Sequence, residues 1–165
     1  MVVFNFQDFL ISFGYLALFL LTLARAVGLF QIALPIPQLV IIGTAVGIGL
    51  DPFITGILAG IASTIGDSVG YFVGLGGVKL VGKLKKIKIP KGAIKLKKFI
   101  NKKGFWIVLL ASMTPLPFDL FGIASGLARY DFRKFIVASL IGKTGGSLVA
   151  AYGVLYGIDL IKGLG

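Results

Sequence analysis

The chain has 165 residues, of which 57% are hydrophobic, and its mean hydropathy of +1.00 lies far outside the range of a soluble domain. It contains no cysteine, histidine or glutamate, which excludes disulfides, thiolate chemistry and imidazole metal ligands. The net charge of +11 suggests nucleic-acid binding, but most of it falls in one block beside apolar runs, which favours a membrane surface facing anionic lipid.

Five apolar segments follow one another along the chain, and several reach or approach the roughly 20 residues that a helix needs to cross a bilayer. They predict an all-α polytopic membrane protein with a single domain over residues 1–165. The first segment lacks a basic region before it and a cleavage site after it, so we expect a retained helix. The predicted elements are a transmembrane helix at 9–30, a re-entrant hairpin at 32–50, a transmembrane helix at 53–78, a basic amphipathic segment at 79–103, a second re-entrant hairpin at 104–130 and a transmembrane helix at 132–161.

Two of the apolar segments are interrupted by a Pro-x-Pro pair. Pro35 and Pro37 stand just inside the second segment, and Pro115 and Pro117 stand near the middle of the fourth. Each proline removes a backbone donor and pushes the residue before it toward extended backbone. Non-helical backbone at membrane depth is tolerated only where protein or a wet cavity covers it. We therefore expect both segments to be re-entrant, with the prolines at the hairpin tips.

The distribution of basic residues supports a hairpin for the fourth segment. Eleven of the 17 basic residues fall between Lys79 and Lys103, and the stretch "ARYDFRKF" adds Arg129, Arg133 and Lys134. The positive-inside rule places both stretches in the cytoplasm, so the segment between them must return to the side it came from. The prediction is a multi-pass protein of the cell membrane whose N-terminus and basic loop are cytoplasmic.

An internal similarity appears when 35–77 is laid over 115–157 without gaps, which we call the repeat alignment. Nine of the 43 pairs are then identical, including both Pro-x-Pro pairs and Asp51 with Asp131. The pattern predicts a repeated unit of broken hairpin, short turn and spanning helix. Because the two hairpins are expected to enter from opposite faces, the repeat is inverted, the arrangement by which secondary transporters place a site near the midplane.

The basic block is expected to end in a cytoplasmic amphipathic helix. From residue 91 onward, helical spacing puts Lys91, Lys95, Lys98 and Lys102 on one face and mostly apolar residues on the other. This pattern is typical of a helix lying in the membrane interface. A solvated charged loop is the alternative.

Two charged residues fall deep inside predicted spanning helices. Asp67 lies about midway along 53–78, and Lys143 lies at a similar depth in 132–161. A buried aspartate costs on the order of 2.5–3.5 kcal/mol on insertion scales. In the repeat alignment Lys143 matches Ser63, one turn before Asp67, so the two charges can face each other. They either line a path for lipid headgroups or protons, or form an ion pair that locks two helices.

The remaining candidates lie near the hairpins and at the basic face. Asp119 is expected either to cap the returning half-helix or to contact a proton or cation. Gln38 is a neutral group able to bind a polar headgroup, and Arg25 either snorkels to the interface or binds a lipid phosphate. A further set either only fixes the topology or binds phosphate and lipid at the inner face: Arg129, Arg133 and Lys134, together with Lys95 and Lys98.

Three stretches, in order, resemble the DedA / SNARE-associated Golgi protein family, whose shared module is the VTT domain. They are "PIPQLVIIGTAVG", "GDSVGYFVGLGG" and "GFWIVLLASMTPLPFDLFGIASGLARYDFRKF". The Thr-Pro-x-Pro-Phe and Ile-Ala-Ser-Gly elements are similar to the small prokaryotic branch. The resemblance implies two facing re-entrant hairpins and movement of lipids between leaflets, either phospholipid scrambling or recycling of polyprenyl-phosphate carriers with proposed proton or sodium dependence.

The chain departs from this family at two positions. Many members carry a glutamate near the first Pro-x-Pro, where this chain has Gln38, and an arginine just before the second, where Ser112 and Thr114 flank Met113. Both departures fit passive scrambling better than proton-coupled export as in the best-known members. They also fit a coupling site that has moved to Asp67 or Asp119.

The function expected from the sequence is lipid translocation between leaflets, of a scramblase or flippase kind, acting on phospholipid or polyprenyl-phosphate lipid. The alternative is a proton- or cation-coupled transporter of a small solute. We expect no enzyme activity, no cofactor, no metal and no nucleic-acid partner. The expected partners are membrane lipids, with a homodimer as an option.

Overall fold

A computed structural model of the chain describes residues 6–27, 36–80, 91–114 and 119–163. Within these ranges the chain forms six helices and no strand, so the all-α class is confirmed. In the described part of the chain, three stretches are long and apolar enough to cross a membrane, namely Gln7–Ala26, Pro52–Gly76 and Phe132–Ile158. The helices are α1 (Phe6–Ala26), α2 (Gln38–Gly47), α3 (Pro52–Leu80), α4 (Lys91–Met113), α5 (Asp119–Leu127) and α6 (Phe132–Gly163).

The first and fourth helices are each interrupted by one non-helical residue. In α1 the break is Gly14, whose φ of 52° lies in the region that favours glycine. In α4 the break is Lys103, with φ −141° and ψ 40°. The breaks separate a short arm, 15–26, from the start of α1 and a similar arm, 104–113, from the lysine-rich start of α4.

The short helices α2 and α5 end in the same kind of turn. After α2, Leu50 N–H donates to Ala45 O at 3.0 Å and Gly49 N–H donates to Val46 O at 3.0 Å, while Gly49 adopts a φ of 96°. This is the Schellman motif, which satisfies the last carbonyl groups of a helix. After α5 the same two bonds recur at the aligned positions of the second repeat, with Arg129 at φ 51° in the place of Gly49.

The next helix starts with the same cap in both halves. Asp51 Oδ1 accepts a hydrogen bond from Ile54 N–H at 2.9 Å, and Asp131 Oδ1 accepts one from Lys134 N–H at 2.9 Å. Aspartate at this position satisfies a backbone donor that the first helical turn leaves open. The similarity found in the sequence is therefore repeated in the backbone of the two turns.

The long helices α3 and α6 cross in an antiparallel direction. Gly56 lies against Leu148 and Gly60 against Thr144, so the contact moves backward along α6 as it moves forward along α3. A Cβ at either glycine would collide with the backbone of α6. The absence of a side chain thus lets the two helices approach closely, as small residues do in membrane helix pairs.

Each short helix packs against the long helix of one half. α5 runs beside the second half of α3, where Gly126 faces the backbone of Tyr71 and Leu75. α2 runs beside the second half of α6, where Ile42 and Val46 share a buried cluster with Ala151. Since 42 and 46 correspond to 122 and 126 in the repeat alignment, both contacts follow the same plan.

The close contact at Gly126 makes a stability prediction. In Gly126→Ala the new Cβ meets the Tyr71 carbonyl and the Leu75 amide, so α5 must move away from α3. Such overpacking costs ~1–3 kcal/mol. We expect a lower thermal unfolding midpoint for the detergent-purified variant, measured by circular dichroism.

The matched control is Gly145→Ala in α6, because a Cβ there meets nothing within 4 Å. Alanine gains up to ~1 kcal/mol over glycine in a helix interior, so this variant should be at least as stable as the parent. Equal midpoints for the two variants would contradict the packing described at α5.

Candidate functional site

Two buried charged residues, Asp67 and Lys143, meet where α3 crosses α6. The Lys143 ammonium lies 2.9 Å from Asp67 Oδ2, and the exposed fractions of the two side chains are 10% and 4%. An unpaired charge at this depth would carry a large desolvation cost, so each group makes the burial of the other tolerable.

A second polar link lies one helical turn along α6. Arg25 Nη2 donates to Gln38 Oε1 at 2.9 Å, and Gln38 Nε2 donates to Ser147 Oγ at 3.0 Å. Ser147 lies one turn after Lys143, so both links use the same face of α6. Together they join polar groups from α1, α2, α3 and α6 into one site, which we call the crossing site: Arg25, Gln38, Asp67, Lys143 and Ser147.

Four helix ends surround this crossing. The end of α1 reaches α3, because Ala26 packs against Gly66, and the end of α4 reaches α6, because Met113 packs against Gly146. α2 begins at Gln38 itself, and α5 begins beside Asp67, whose carbonyl oxygen would be 3.1 Å from a Cβ at Gly122. The first turns of α2 and α5 bring the positive ends of their helix dipoles to the site.

Buried hydroxyl groups add to the polarity of this region. Ser63 lies one turn before Asp67 on α3, and Thr22 lies one turn before Ala26 on α1; both are fully buried. Within the described ranges neither Ser63 Oγ nor Thr22 Oγ1 has a hydrogen-bond partner. Ser68 and Thr64, by contrast, donate to carbonyl groups of their own helix. The region around the crossing therefore retains unused polar capacity.

The structure joins four of the residues proposed from the sequence, and the others lie either near the start of α6 or outside the described residues, apart from Pro37. Arg25, Gln38, Asp67 and Lys143 belong to the crossing site. Arg129 is exposed in the turn between α5 and α6, and Arg133 and Lys134 are exposed in the first turn of α6. Asp119 is the first residue of α5, but its side chain, those of Lys95 and Lys98, and all of Pro35, Pro115 and Pro117 lie outside the described residues. Pro37 directly precedes α2 with φ −59° and ψ 142°.

Sequence reasoning missed Ser147, although a signal for it existed. In the repeat alignment Ser147 is the counterpart of Asp67, just as Lys143 is the counterpart of Ser63. The two residues of the ion pair, Asp67 and Lys143, thus both have a serine as their counterpart in the other repeat. No group of three or more acidic, histidine or cysteine residues able to hold a metal occurs in the described ranges.

The ion pair predicts a non-additive effect on stability. Asp67→Asn leaves the Lys143 ammonium buried without its carboxylate, and Lys143→Gln does the reverse. Breaking a buried pair costs ~3–5 kcal/mol, whereas replacing both partners is often nearly neutral. We expect each single variant to lower the unfolding midpoint in detergent and the double variant to recover most of the loss. Single variants as stable as the parent would show that the pair contributes nothing to the fold.

Comparisons with known proteins agree on one family. The model of the VTT domain matches residues 36–155, a range that contains α2 to α5 and most of α6. An uncharacterized protein of Methanocaldococcus jannaschii is 30% identical over 144 residues, which is 84% of each chain. No solved structure matches the chain. The match covers more than half of the chain and nearly all of the crossing site, and the protein therefore belongs to the VTT domain family of membrane proteins, the DedA family.

Proposed function

We propose that this protein moves lipid between the two leaflets of a membrane, with the phosphate-bearing headgroup passing the crossing site while the acyl or prenyl chains stay in the bilayer. The observation that carries the proposal is the linked polar contact from Arg25 through Gln38 to Ser147, beside the Asp67–Lys143 pair. Family membership supports a membrane transport or lipid-related role. The proposal assigns no catalytic chemistry to the chain.

The depth of the site suits this role. Asp67 lies about midway along α3, at ~22 Å from the start of a helix that is ~43 Å long at ~1.5 Å per residue. The hydrocarbon core is ~30 Å thick, so the polar groups fall near its centre. The free-energy cost of leaving water would be smaller for a headgroup that found polar partners there than for one that crossed pure hydrocarbon.

The charge of the site suits an anionic headgroup. Among the described side chains of the crossing site, Arg25 and Lys143 are positive and Asp67 is negative, which leaves one positive charge. The Arg25 guanidinium, oriented by Gln38, is the type of group that binds phosphate in a bidentate manner. An anionic phospholipid or a polyprenyl phosphate would supply the compensating charge.

The topology that fits this function has two re-entrant hairpins, and the break in α1 extends the first of them. Asp51 N–H donates to Tyr15 Oη at 2.9 Å, and Leu50 packs against Gly14. The break in α1 is therefore level with the turn that starts α3, while Ala26 lies against the middle of α3. By length and composition Gln7–Ala26 qualifies as a span. The break instead favours a hairpin whose two short arms are 15–26 and 38–47.

The second hairpin has the same construction. The ring of Tyr130, in the turn before α6, packs against Gly104 just after the break in α4. The arms 104–113 and 119–127 then run to the middle of the molecule and back. Arms of this length span only ~14–18 Å, too short to cross a bilayer. Since α3 and α6 are antiparallel, the two proposed hairpins would open to opposite leaflets, and this geometry supports the inverted repeat expected from the sequence.

This topology predicts the sides on which labels appear. With the basic stretches in the cytoplasm, residue 8 should lie outside together with the turn at 49, whereas a spanning α1 would put residue 8 in the cytoplasm. The chain has no cysteine, so Asp8→Cys, Gly49→Cys and Arg133→Cys each carry a single reactive site. We expect a membrane-impermeant maleimide to label the first two from outside intact cells and the third only after lysis.

Labelling of Asp8→Cys only after lysis would restore the spanning helix at 9–30 and the cytoplasmic N-terminus. External labelling of Arg133→Cys with the lysine block inside would remove the second hairpin. The two results are independent, because each one concerns a different half of the chain.

Lipid translocation is tested with the purified protein in liposomes that hold a fluorescent phosphatidylglycerol, read by a quencher that reaches only the outer leaflet. We expect quenching beyond half of the signal with the parent protein. Gln38→Leu should slow it about tenfold or more, because hydrogen bonds to charged groups contribute ~1.5–3 kcal/mol. Gln7→Leu, the same change at an exposed position of α1, is the control for reconstitution.

Ser147→Ala removes only the neutral end of the link, so we expect a smaller reduction than with Gln38→Leu. Parent-like rates in a monodisperse Gln38→Leu protein would refute a role for this link. Absence of translocation by the parent, with and without ion gradients, would refute the proposed function.

A coupled solute transporter is the second candidate, and the Asp67–Lys143 pair is the observation that favours it. Protonation of the carboxylate, or a competing cation, would break the pair and provide a coupling step, which is a common role of intramembrane carboxylates. This candidate requires flux that depends on an ion gradient, whereas the proposed translocation proceeds without one. The expectations of a homodimer and of no nucleic-acid partner remain predictions.

A further inference from the structure

A second polar feature lies outside the crossing site, where the break in α4 meets the turn between α5 and α6. It is an open pocket of about 800 Å³ on the side of the molecule that carries the lysine-rich start of α4. Its walls combine two lysines with aromatic rings. The lining residues are Lys103, Gly104, Phe105, Trp106, Tyr130 and Lys134.

The break in α4 and the cap of α6 build this pocket. Lys103 leaves the helical path, and Gly104 has no side chain, so the ring of Tyr130 can pack directly on the backbone there. Lys134 enters from the other side, on the first turn of α6, whose start is fixed by the Asp131 cap. The two lysines therefore come from separate elements that are held in a defined relation.

Both lysines are available to an anion. They are exposed, and within the described ranges neither is in an ion pair. Asp131 is the nearby acid, and its Oδ1 is already bonded to the Lys134 backbone. Partial burial, and secondarily the charge of Asp131, raises the pKa of the Tyr130 phenol, which keeps it protonated as a hydrogen-bond donor.

An apolar strip leads away from the pocket along α4. Trp106, Leu110 and Met113 recur at helical spacing, and their exposed fractions are 62%, 62% and 50%. In a bilayer such a strip faces lipid chains, and tryptophan at its outer end is typical of the interface. The strip ends at Met113, which packs against Gly146 one residue before Ser147.

We propose that this pocket is a binding site for an anionic phospholipid, with the phosphate between Lys103 and Lys134, the Trp106 ring at the headgroup level and one acyl chain along Leu110 and Met113. A free phosphate shares the headgroup chemistry, but only a molecule with an acyl chain can also contact the apolar strip. Lipid binding at this site does not require lipid translocation, so the binding experiment tests it separately from the proposed function.

Trp106 is the only tryptophan of the chain, so intrinsic fluorescence reports on this pocket alone. The test reconstitutes the full chain in bilayers of phosphatidylcholine mixed with dibrominated phosphatidylglycerol, or with dibrominated phosphatidylcholine at the same mole fractions. Bromine quenches tryptophan only at contact range. We expect brominated phosphatidylglycerol to quench at lower mole fractions, which gives a relative binding constant well above one.

The variants Lys103→Gln and Lys134→Gln should each lower this preference, by up to about fivefold, since a lysine near an anionic surface contributes ~1 kcal/mol. Arg133→Gln is the matched control, because it removes the same charge from an exposed neighbour that does not line the pocket. Unchanged Trp106 emission in pure phosphatidylcholine verifies that each variant is folded.

Three outcomes would overturn the proposal. Equal quenching by the two brominated lipids would show no headgroup selectivity. An equal loss of preference in Arg133→Gln would assign the effect to the general surface charge. Recovery of fluorescence on addition of millimolar glycerol phosphate at constant ionic strength would assign the pocket to a soluble anion.

Discussion

A helix that stops inside a bilayer leaves backbone groups that only protein or water can satisfy. In the proposed topology α1 and α4 end inside the bilayer, and this constraint then accounts for the packing of both ends against glycines of α3 and α6. Gly66 receives Ala26, and Gly146 receives Met113, and these two glycines are an identical pair in the repeat alignment. The long helices thus cover the ends of the broken ones.

The turns and helix contacts are repeated in the two halves of the chain, but the charged residues are not. Asp67 corresponds to Ser147, and Lys143 corresponds to Ser63, in the same alignment. Arg25 precedes the residue that meets Gly66, and Ser112 precedes the residue that meets Gly146. Each charged member of the crossing site therefore has a serine at the equivalent place in the other half. A symmetric scaffold holds an asymmetric site, in which α6 carries both polar links on one face.

The sequence was informative wherever burial or spacing leaves a pattern. Apolar runs located α3 and α6, and the shared Asp51 and Asp131 located the turns. The depth of Asp67 and Lys143, with the repeat, brought them opposite each other. Three features carry no such pattern. Gly14 is one of 24 glycines, and Arg129 adopts a backbone conformation that its residue type rarely takes. The Arg25–Gln38 link depends on how α1 and α2 pack against each other, which local sequence does not encode.

Gln38 shows how one residue sets the charge of the site. The resemblance to the family leads one to expect a glutamate near this position, and a carboxylate accepting from Arg25 would cancel the guanidinium charge. The amide accepts the same hydrogen bond without adding charge, and its second end still donates to Ser147. It also cannot titrate at physiological pH. Of the described side chains in the crossing site, the Asp67 carboxylate alone remains to carry a proton, and it is already engaged by Lys143. The substitution thus leaves a net positive, pH-insensitive contact on the α1 side, which suits an anionic headgroup better than a proton.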